Sequence, residues 1–298
     1  RTRPLKFEQQ LVVARRERSA LASDGIADAV LARAGLFTEH TLAIDPERYA
    51  LVDALKSTLG FSDEQPELHQ LHTHLSDFSA SAARHAGVMR QKKALLAPLA
   101  DKARSAIFLG IYDALVCGVV APHLASRVAG TTTVHYACMP TLRVQHPSEL
   151  ATIRPHVDGM YGLQPGSLNC WLPLTTPLPA SASLHIESAP GREDFHPLRP
   201  DPSAPAGGTL FCFYGRRCVH YTVPNSSDCT RISLDFRVVP GPLFDRENRL
   251  AQSGYYSMAA ISPSGSVFTK KSMGTISSLH GLPHAGKPAC VVSGGITR

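Results

Sequence analysis

No two of the seven cysteines stand in a Cys-x-x-Cys pair, and their number is odd. A disulfide framework is not expected in a chain of this length. Reduced thiols and a cytoplasmic location are expected instead. Charge is also sparse: only 18% of residues are charged, and the formal net charge is +6. The basic residues are dispersed, and no run interleaves Lys or Arg with aromatics, which argues against nucleic acid as a partner. A mild positive field does favour a small anionic ligand. There is no signal-peptide pattern, no internal repeat and no apolar run expected to cross a bilayer, so no membrane partner is expected. What remains is a 298-residue chain, 43% hydrophobic, read as one globular domain over 1–298.

The first part, 1–129, reads as a helical layer. Amphipathic patterns run over Phe7–Leu21, Ala27–Leu36 and Pro46–Leu59. Longer helices are expected over Leu68–Arg84 and Gln91–Ala129, broken or kinked at Pro98 and Pro122. Ile107–Val120 is apolar nearly all round, which suits a buried helix packed on a sheet. From Gly130 the pattern shortens to strands: Thr131–Cys138, Thr141–Gln145, Ser167–Leu174, Ala182–Ile186, Gly208–Tyr214 and Cys218–Val223, the last expected to pair with its predecessor across a Gly215-Arg216-Arg217 turn. Pro190–Gly208 reads as a long loop, and 241–298 as an irregular C-terminal segment. Helices followed by about eight strands argue for a jelly roll, the cupin-like architecture, as a core over 130–240 covered by the N-terminal helices.

The residues that carry chemistry lie in that core. His156-Val157-Asp158 is followed by His220 and then by Arg231-Ile232-Ser233. Residues two apart on a strand share a face, so His156 and Asp158 can reach one metal, and Arg231 and Ser233 can act together. His-x-Asp with a distant second His is the ligand set of a facial triad, which leaves positions on Fe(II) open. The opposite face of the last strand carries Ile232, Leu234, Phe236 and Val238, a stripe suited to packing under helices.

Several segments resemble a known family. They are Met139-Pro140-Thr141-Leu142-Arg143-Val144, His156-Val157-Asp158, Tyr161 through Leu174, Phe213-Tyr214-Gly215, His220 through Asn225, and Arg231 through Val238. Together they are similar to Fe(II)- and 2-oxoglutarate-dependent dioxygenases, in the branch near phytanoyl-CoA dioxygenases and streptomycin-biosynthesis dioxygenase-like proteins. The resemblance implies a double-stranded β-helix with His156, Asp158 and His220 as iron ligands. It also implies that Arg231, assisted by Ser233, binds the distal carboxylate of 2-oxoglutarate, with O2 as the other co-substrate. The expected reaction is oxidation of an unactivated C–H bond of a small molecule, an amino acid or derivative in secondary metabolism, by hydroxylation, desaturation or cyclisation. Asp158 argues against halogenation, because related halogenases replace this carboxylate with a small residue. A jelly-roll hydrolase, isomerase or ligand-binding module is the alternative, and it would not need Arg231-x-Ser233.

Other side chains carry two readings each. Arg143 shares a strand face with Thr141 and Gln145, where it either grips a substrate carboxylate or forms a structural salt bridge. Asn169 is expected to hydrogen-bond co-substrate or substrate, and Trp171 on the same face to be structural. Tyr161 either closes over the substrate or is an exposed loop residue. His69, His72 and His74 form either a metal cluster or a solvated polar face. His135 lines the pocket or faces solvent, and His185 lies on an outer strand face.

Overall fold

Strand β9 (Arg231–Pro240) runs through the centre of the larger of two sheets. Its pleat sorts its side chains. Ile232, Leu234, Phe236 and Val238 enter the main hydrophobic core, while Arg231, Ser233, Asp235 and Arg237 project from the other face. On one side β9 pairs with β4 (Leu168–Pro173), which in turn pairs with β7 (Thr209–Phe213) and then β1 (His40–Ala43). On the other it pairs first with β3 (Thr141–Gln145) and then with β2 (Thr133–Ala137). Beyond β2 lie β10 (Tyr256–Ile261) and β11 (Val267–Lys270), and every pairing is antiparallel. A smaller sheet holds β5 (His185–Ile186) between β6 (His196–Pro197) and β8 (His220–Tyr221). The computed structural model describes residues 6–21, 25–61, 67–75, 78–101, 103–262 and 267–270.

The helices cover the apolar face of the larger sheet. Leu31 of α2 (Gly25–Arg33), Leu55 of α3 (Leu51–Leu59) and Phe108 and Tyr112 of α5 (Ala106–Leu115) share one core with β9. Tyr112 meets Phe236 edge-on at 5.1 Å and donates its hydroxyl to Ala137 O at 2.7 Å, so the ring is buried without stranding its polar end. A π turn (Val116–Val120) joins α5 to α6 (Ala121–Arg127) in one 22-residue helix. Pro122 has no N–H and its ring would crowd the carbonyl four residues back. The wider turn absorbs both, with the Ala121 N–H reaching back to Val116 O. Pro122 therefore marks a bulge rather than a break. Gly118 in this turn lies against Tyr49, where a Cβ would fall 2.1 Å from the hydroxyl.

α1 (Phe7–Ala20) sits apart from that layer. Its Leu11 and Ala14 pack on Val157, Val219 and Tyr221, beneath the segments that carry the candidate metal ligands. Arg18 of α1 pairs with the buried Glu187 at 2.6 Å, tying the helix to the smaller sheet.

Several expectations need correction. Cys218–Val223 does not pair with the preceding strand; its residues His220–Tyr221 form β8 and pair with β5, while β7 pairs with β4 and β1. Leu68–Arg84 contains two 3-10 segments, Leu68–His74 and Ala82–Arg84, rather than a long helix. The helix ending at Leu95 begins at His85 (α4, His85–Leu95), and Pro98 opens a short 3-10 turn. Ile107 is 72% exposed, so the apolar helix has one outward face. By length and composition that 22-residue helix could span a bilayer, against the expectation of no such run; in the fold its other face covers the sheet. Within the C-terminal segment read as irregular, a short helix α7 (Arg249–Gln252) and strands β10 and β11 are regular. The expectation for residues 263–266 and 271–298 lies outside the described residues.

Candidate metal centre

Val157 is fully extended (φ −116°, ψ 142°), which turns its side chain toward α1 and leaves His156 and Asp158 on the opposite side. These two do not lie on one regular strand as expected. His156 forms an isolated antiparallel bridge with His220, and Asp158 opens a 3-10 turn, Asp158–Tyr161. The bridge brings the two imidazoles together, with ring centroids 4.1 Å apart. The turn Gly215-Arg216-Arg217 pins the other end: Asp158 N–H donates to Gly215 O at 2.8 Å, and Gly159 N–H to Arg216 O at 3.1 Å.

The three side chains converge. Asp158 Oδ1 lies 3.4 Å from His156 Nε2 and 3.6 Å from His220 Nε2. One ligand atom from each lies within 4.8 Å of the others, and all three residues are buried. The two imidazole–carboxylate spacings are short enough for an ion with bonds of roughly 2.0–2.2 Å to bridge either pair. The hydrogen bonds around them point the same way. His156 Nδ1 meets Arg154 O at 2.9 Å and His220 Nδ1 meets Cys218 O at 3.0 Å. A backbone carbonyl can only accept, so each ring carries its proton on Nδ1 and turns the Nε2 lone pair toward Asp158. Burial and the neighbouring His156 hold His220 down to about 4, against the opposing pull of Asp158, so it is neutral at physiological pH. Burial alone would raise the Asp158 pKa, but the Arg237 guanidinium paired with it holds it well below the usual carboxylate range.

Asp158 divides its two oxygens. Oδ1 faces the imidazoles. Oδ2 accepts from Asn169 Nδ2 at 2.7 Å and from Arg237 Nη2 and Nε at 2.6 and 2.9 Å. Arg237 also donates to Asp235 Oδ1 at 2.5 Å, and Asp235 Oδ2 accepts from Arg143 Nε and Nη2 at 3.1 and 3.0 Å. Arg143 thus has a protein carboxylate as a partner. Asn169 turns its amide to Asp158, and its Oδ1 has no hydrogen-bond partner among the described residues. Gly215 lets this amide in: a Cβ there would lie 2.4 Å from it.

Arg231 lies on the same face of β9, its side chain buried. Nε donates to Ala182 O at 3.0 Å, Nη1 to Ser233 Oγ at 2.9 Å and to Arg143 O at 3.5 Å, and Nη2 to Gln145 Oε1 at 2.8 Å. All four acceptors are neutral. A guanidinium has five N–H donors, so one on Nη2 is without a partner among the described residues. Burial and repulsion from Arg143 depress the Arg231 pKa to about 9. A buried cation whose hydrogen bonds among the described residues all go to neutral oxygens is the electrostatic arrangement that an incoming anion would compensate.

The other candidates fall elsewhere. Tyr161 is 39% exposed at the rim, its ring 5.4 Å from that of His156. Trp171 is buried against Phe211, near the Arg231 guanidinium. His135 stacks on Phe244 at 3.5 Å, and His185 on Tyr221. His72 bonds to Thr230 Oγ1, and the His69, His72 and His74 group is not among the metal-competent clusters of the described residues. Sequence reasoning did not single out Asp235, Arg237 or Gln145. A signal was present for the first two: Arg231, Ser233, Asp235 and Arg237 form one unbroken polar face at a spacing of two.

No family model matches the chain. It is 27% identical over 128 residues to streptomycin biosynthesis protein StrG of Streptomyces griseus, a match that spans 42% of this chain and 58% of that protein. Its fold is similar to those of a non-haem monooxygenase, ThoJ, in a nickel complex (TM-score 0.40, 14% identity, covering 71% of this chain and 77% of that one). It is also similar to AviO1 from Streptomyces viridochromogenes Tue57 (TM-score 0.36, 15% identity, 76% and 99%). A further similar structure is AtDAO1, dioxygenase for auxin oxidation 1 from Arabidopsis thaliana, in a complex with 2-oxoglutarate (TM-score 0.37, 13% identity, 76% and 96%).

Proposed function

We propose that this chain is an Fe(II)- and 2-oxoglutarate-dependent oxygenase built on a double-stranded β-helix. The observation that carries the reading is the coexistence of two features: a buried His156/Asp158/His220 triad tied through Asp158 to Arg237 on the polar face of β9, and on that same face a buried Arg231 with no hydrogen-bonded carboxylate among the described residues. A hydrolase or binding module would use the first and have no need of the second.

In this reading His156, His220 and Asp158 Oδ1 hold iron, whose bound form activates O2 for attack on a C–H bond. Arg231 takes the far carboxylate of 2-oxoglutarate, and Ser233 and Gln145 fix the plane of its guanidinium. Asn169 and Arg237 keep Asp158 charged and oriented by occupying Oδ2, so that Oδ1 alone faces the ion. Tyr161, at the rim beside His156, is placed to contact substrate. The substrate is read as a small molecule of secondary metabolism, a reading supported by the name of the Streptomyces griseus relative. An amino acid or derivative remains the class implied by family resemblance. Arg143 no longer argues for a carboxylate on it, because that guanidinium is engaged by Asp235.

Anaerobic titration tests the co-substrate half of the reading. With Fe(II) present, wild-type protein should bind 2-oxoglutarate but not its mono-acid analogue 2-oxobutyrate with comparable affinity. Equal affinity for the two would remove the role given to Arg231.

A further inference from the structure

Lys92, on α4, is 1% exposed, and its ammonium has one hydrogen-bond partner among the described residues, Val144 O at 3.3 Å. An ammonium has three donors and a full charge, and burying it with one carbonyl for company is costly. Burial and the nearby Arg231 lower its pKa to about 8, so it remains largely cationic at neutral pH. Beside it, His146 is 5% exposed, and its Nε2 has no partner among the described residues. His146 Nδ1 lies 3.1 Å from Thr230 Oγ1. Thr230 Oγ1 also meets His72 Nδ1 at 2.8 Å; in the arrangement in which it accepts from His72 and donates to His146 Nδ1, the His146 proton sits on Nε2 as a donor. Burial and Lys92 keep the ring neutral. Lys92 and His146 line one narrow cleft of about 10 Å³, room for a single small particle, together with the side chains of Ser79, His85, Ser148 and Thr152.

We propose that this cleft is a second binding site, for a small inorganic anion held by Lys92 Nζ and His146 Nε2 with hydroxyl support. The polar part of the lining, Lys92, His146, Ser79, His85, Ser148 and Thr152, includes no carboxylate among the described residues, and Val88, Met89, Val144 and Pro147 complete the wall. The site is separate from the metal centre. Successive side chains of β3 alternate: Gln145 turns to Arg231, whereas Val144 and His146 turn to the helical layer that carries Lys92. The inference therefore does not depend on the iron reading.

The test uses full-length protein without iron or 2-oxoglutarate. Chloride binding is followed by the ³⁵Cl linewidth, with inorganic phosphate as competitor, for wild type, Lys92→Met and His146→Phe, each checked for fold by circular dichroism. Wild type should broaden the line in excess of a chloride-indifferent control protein, and both variants should lose most of that excess. Displacement by phosphate would assign the site to oxyanions as well as halides; resistance to phosphate would assign it to halides alone. Crystals soaked in sodium bromide should show an anomalous peak within hydrogen-bond reach of Lys92 Nζ, a readout that stands if either variant fails to fold. Absence of excess broadening in wild type, its full retention in folded Lys92→Met, or bromide found only elsewhere would each overturn the proposal.

Discussion

Arg237 and Asp158 meet through two N–H donors on a single carboxylate oxygen: Nη2 and Nε of Arg237 lie 2.6 and 2.9 Å from Oδ2. The oxygen so occupied cannot also serve an ion, which leaves Oδ1 as the ligand atom. Arg237→Met would strand a buried carboxylate and should cost the apoprotein about 3–5 kcal/mol. It should also weaken divalent-metal binding by roughly 10–100-fold, the usual effect of removing a partner from a metal ligand. Denaturant unfolding and an anaerobic metal titration read the two effects separately. Unchanged metal affinity in a folded variant would show that Arg237 does not orient the ligand.

The same region contains a steric requirement. A Cβ at Gly215 would fall 2.4 Å from the Asn169 amide, which holds the Asp158 oxygen. Gly215→Ala should push that amide away, lowering stability by about 1–3 kcal/mol and loosening the metal. Asn169→Ala combined with Gly215→Ala should show little further loss of metal affinity over either single change. Additive losses would mean the two act independently.

Arg231→Lys keeps a charge but loses the planar fork that reaches Ala182 O, Ser233 Oγ and Gln145 Oε1 together. The concentration of 2-oxoglutarate needed for half-maximal turnover should rise by at least tenfold, with Fe(II) affinity little changed. A variant whose iron affinity falls as far as its 2-oxoglutarate affinity would place Arg231 in the metal site or in the general support of the core.

How much of this was legible in the sequence follows from the range of the forces involved. The convergence of His156 and Asp158 was readable because strand alternation is local: one extended residue, Val157, suffices to put them on the same side. The apolar stripe of β9 was readable for the same reason. The partner of β8 was not, because two residues of strand carry no register signal and the choice between β7 and β5 is made by packing at a distance. The 3-10 stretch Leu68–His74 looked helical because its Leu68 and Leu71 fit either period; Thr230, far along the chain, takes His72 and His69 as hydrogen-bond partners there. Arg143 could not be decided from its own strand, since its partner Asp235 sits across the register on β9.

Burial, then Arg246, holds the pKa of His135 down to about 4 in the folded chain, against an unfolded value near 6.5. Between those values the unfolded state binds the extra proton. Stability is therefore fully present above the unfolded pKa and falls as pH drops toward the folded one. His135→Phe can keep the stack on Phe244 and remove the titration. The difference in urea midpoint between pH 7 and pH 5 should shrink in this variant. An identical difference would mean that His135 contributes nothing to the acid sensitivity.

The central claim is that the triad and Arg231 form one oxidative site, and succinate release tests it most directly. Purified protein supplied with Fe(II), 2-oxoglutarate and air should convert 2-oxoglutarate to succinate, at least slowly without primary substrate. The conversion should stop when oxygen is withheld, and in Asp158→Ala and His220→Ala. Succinate formation that persists in folded His220→Ala, or none in wild type across a broad panel of small-molecule substrates with iron bound, would contradict the account.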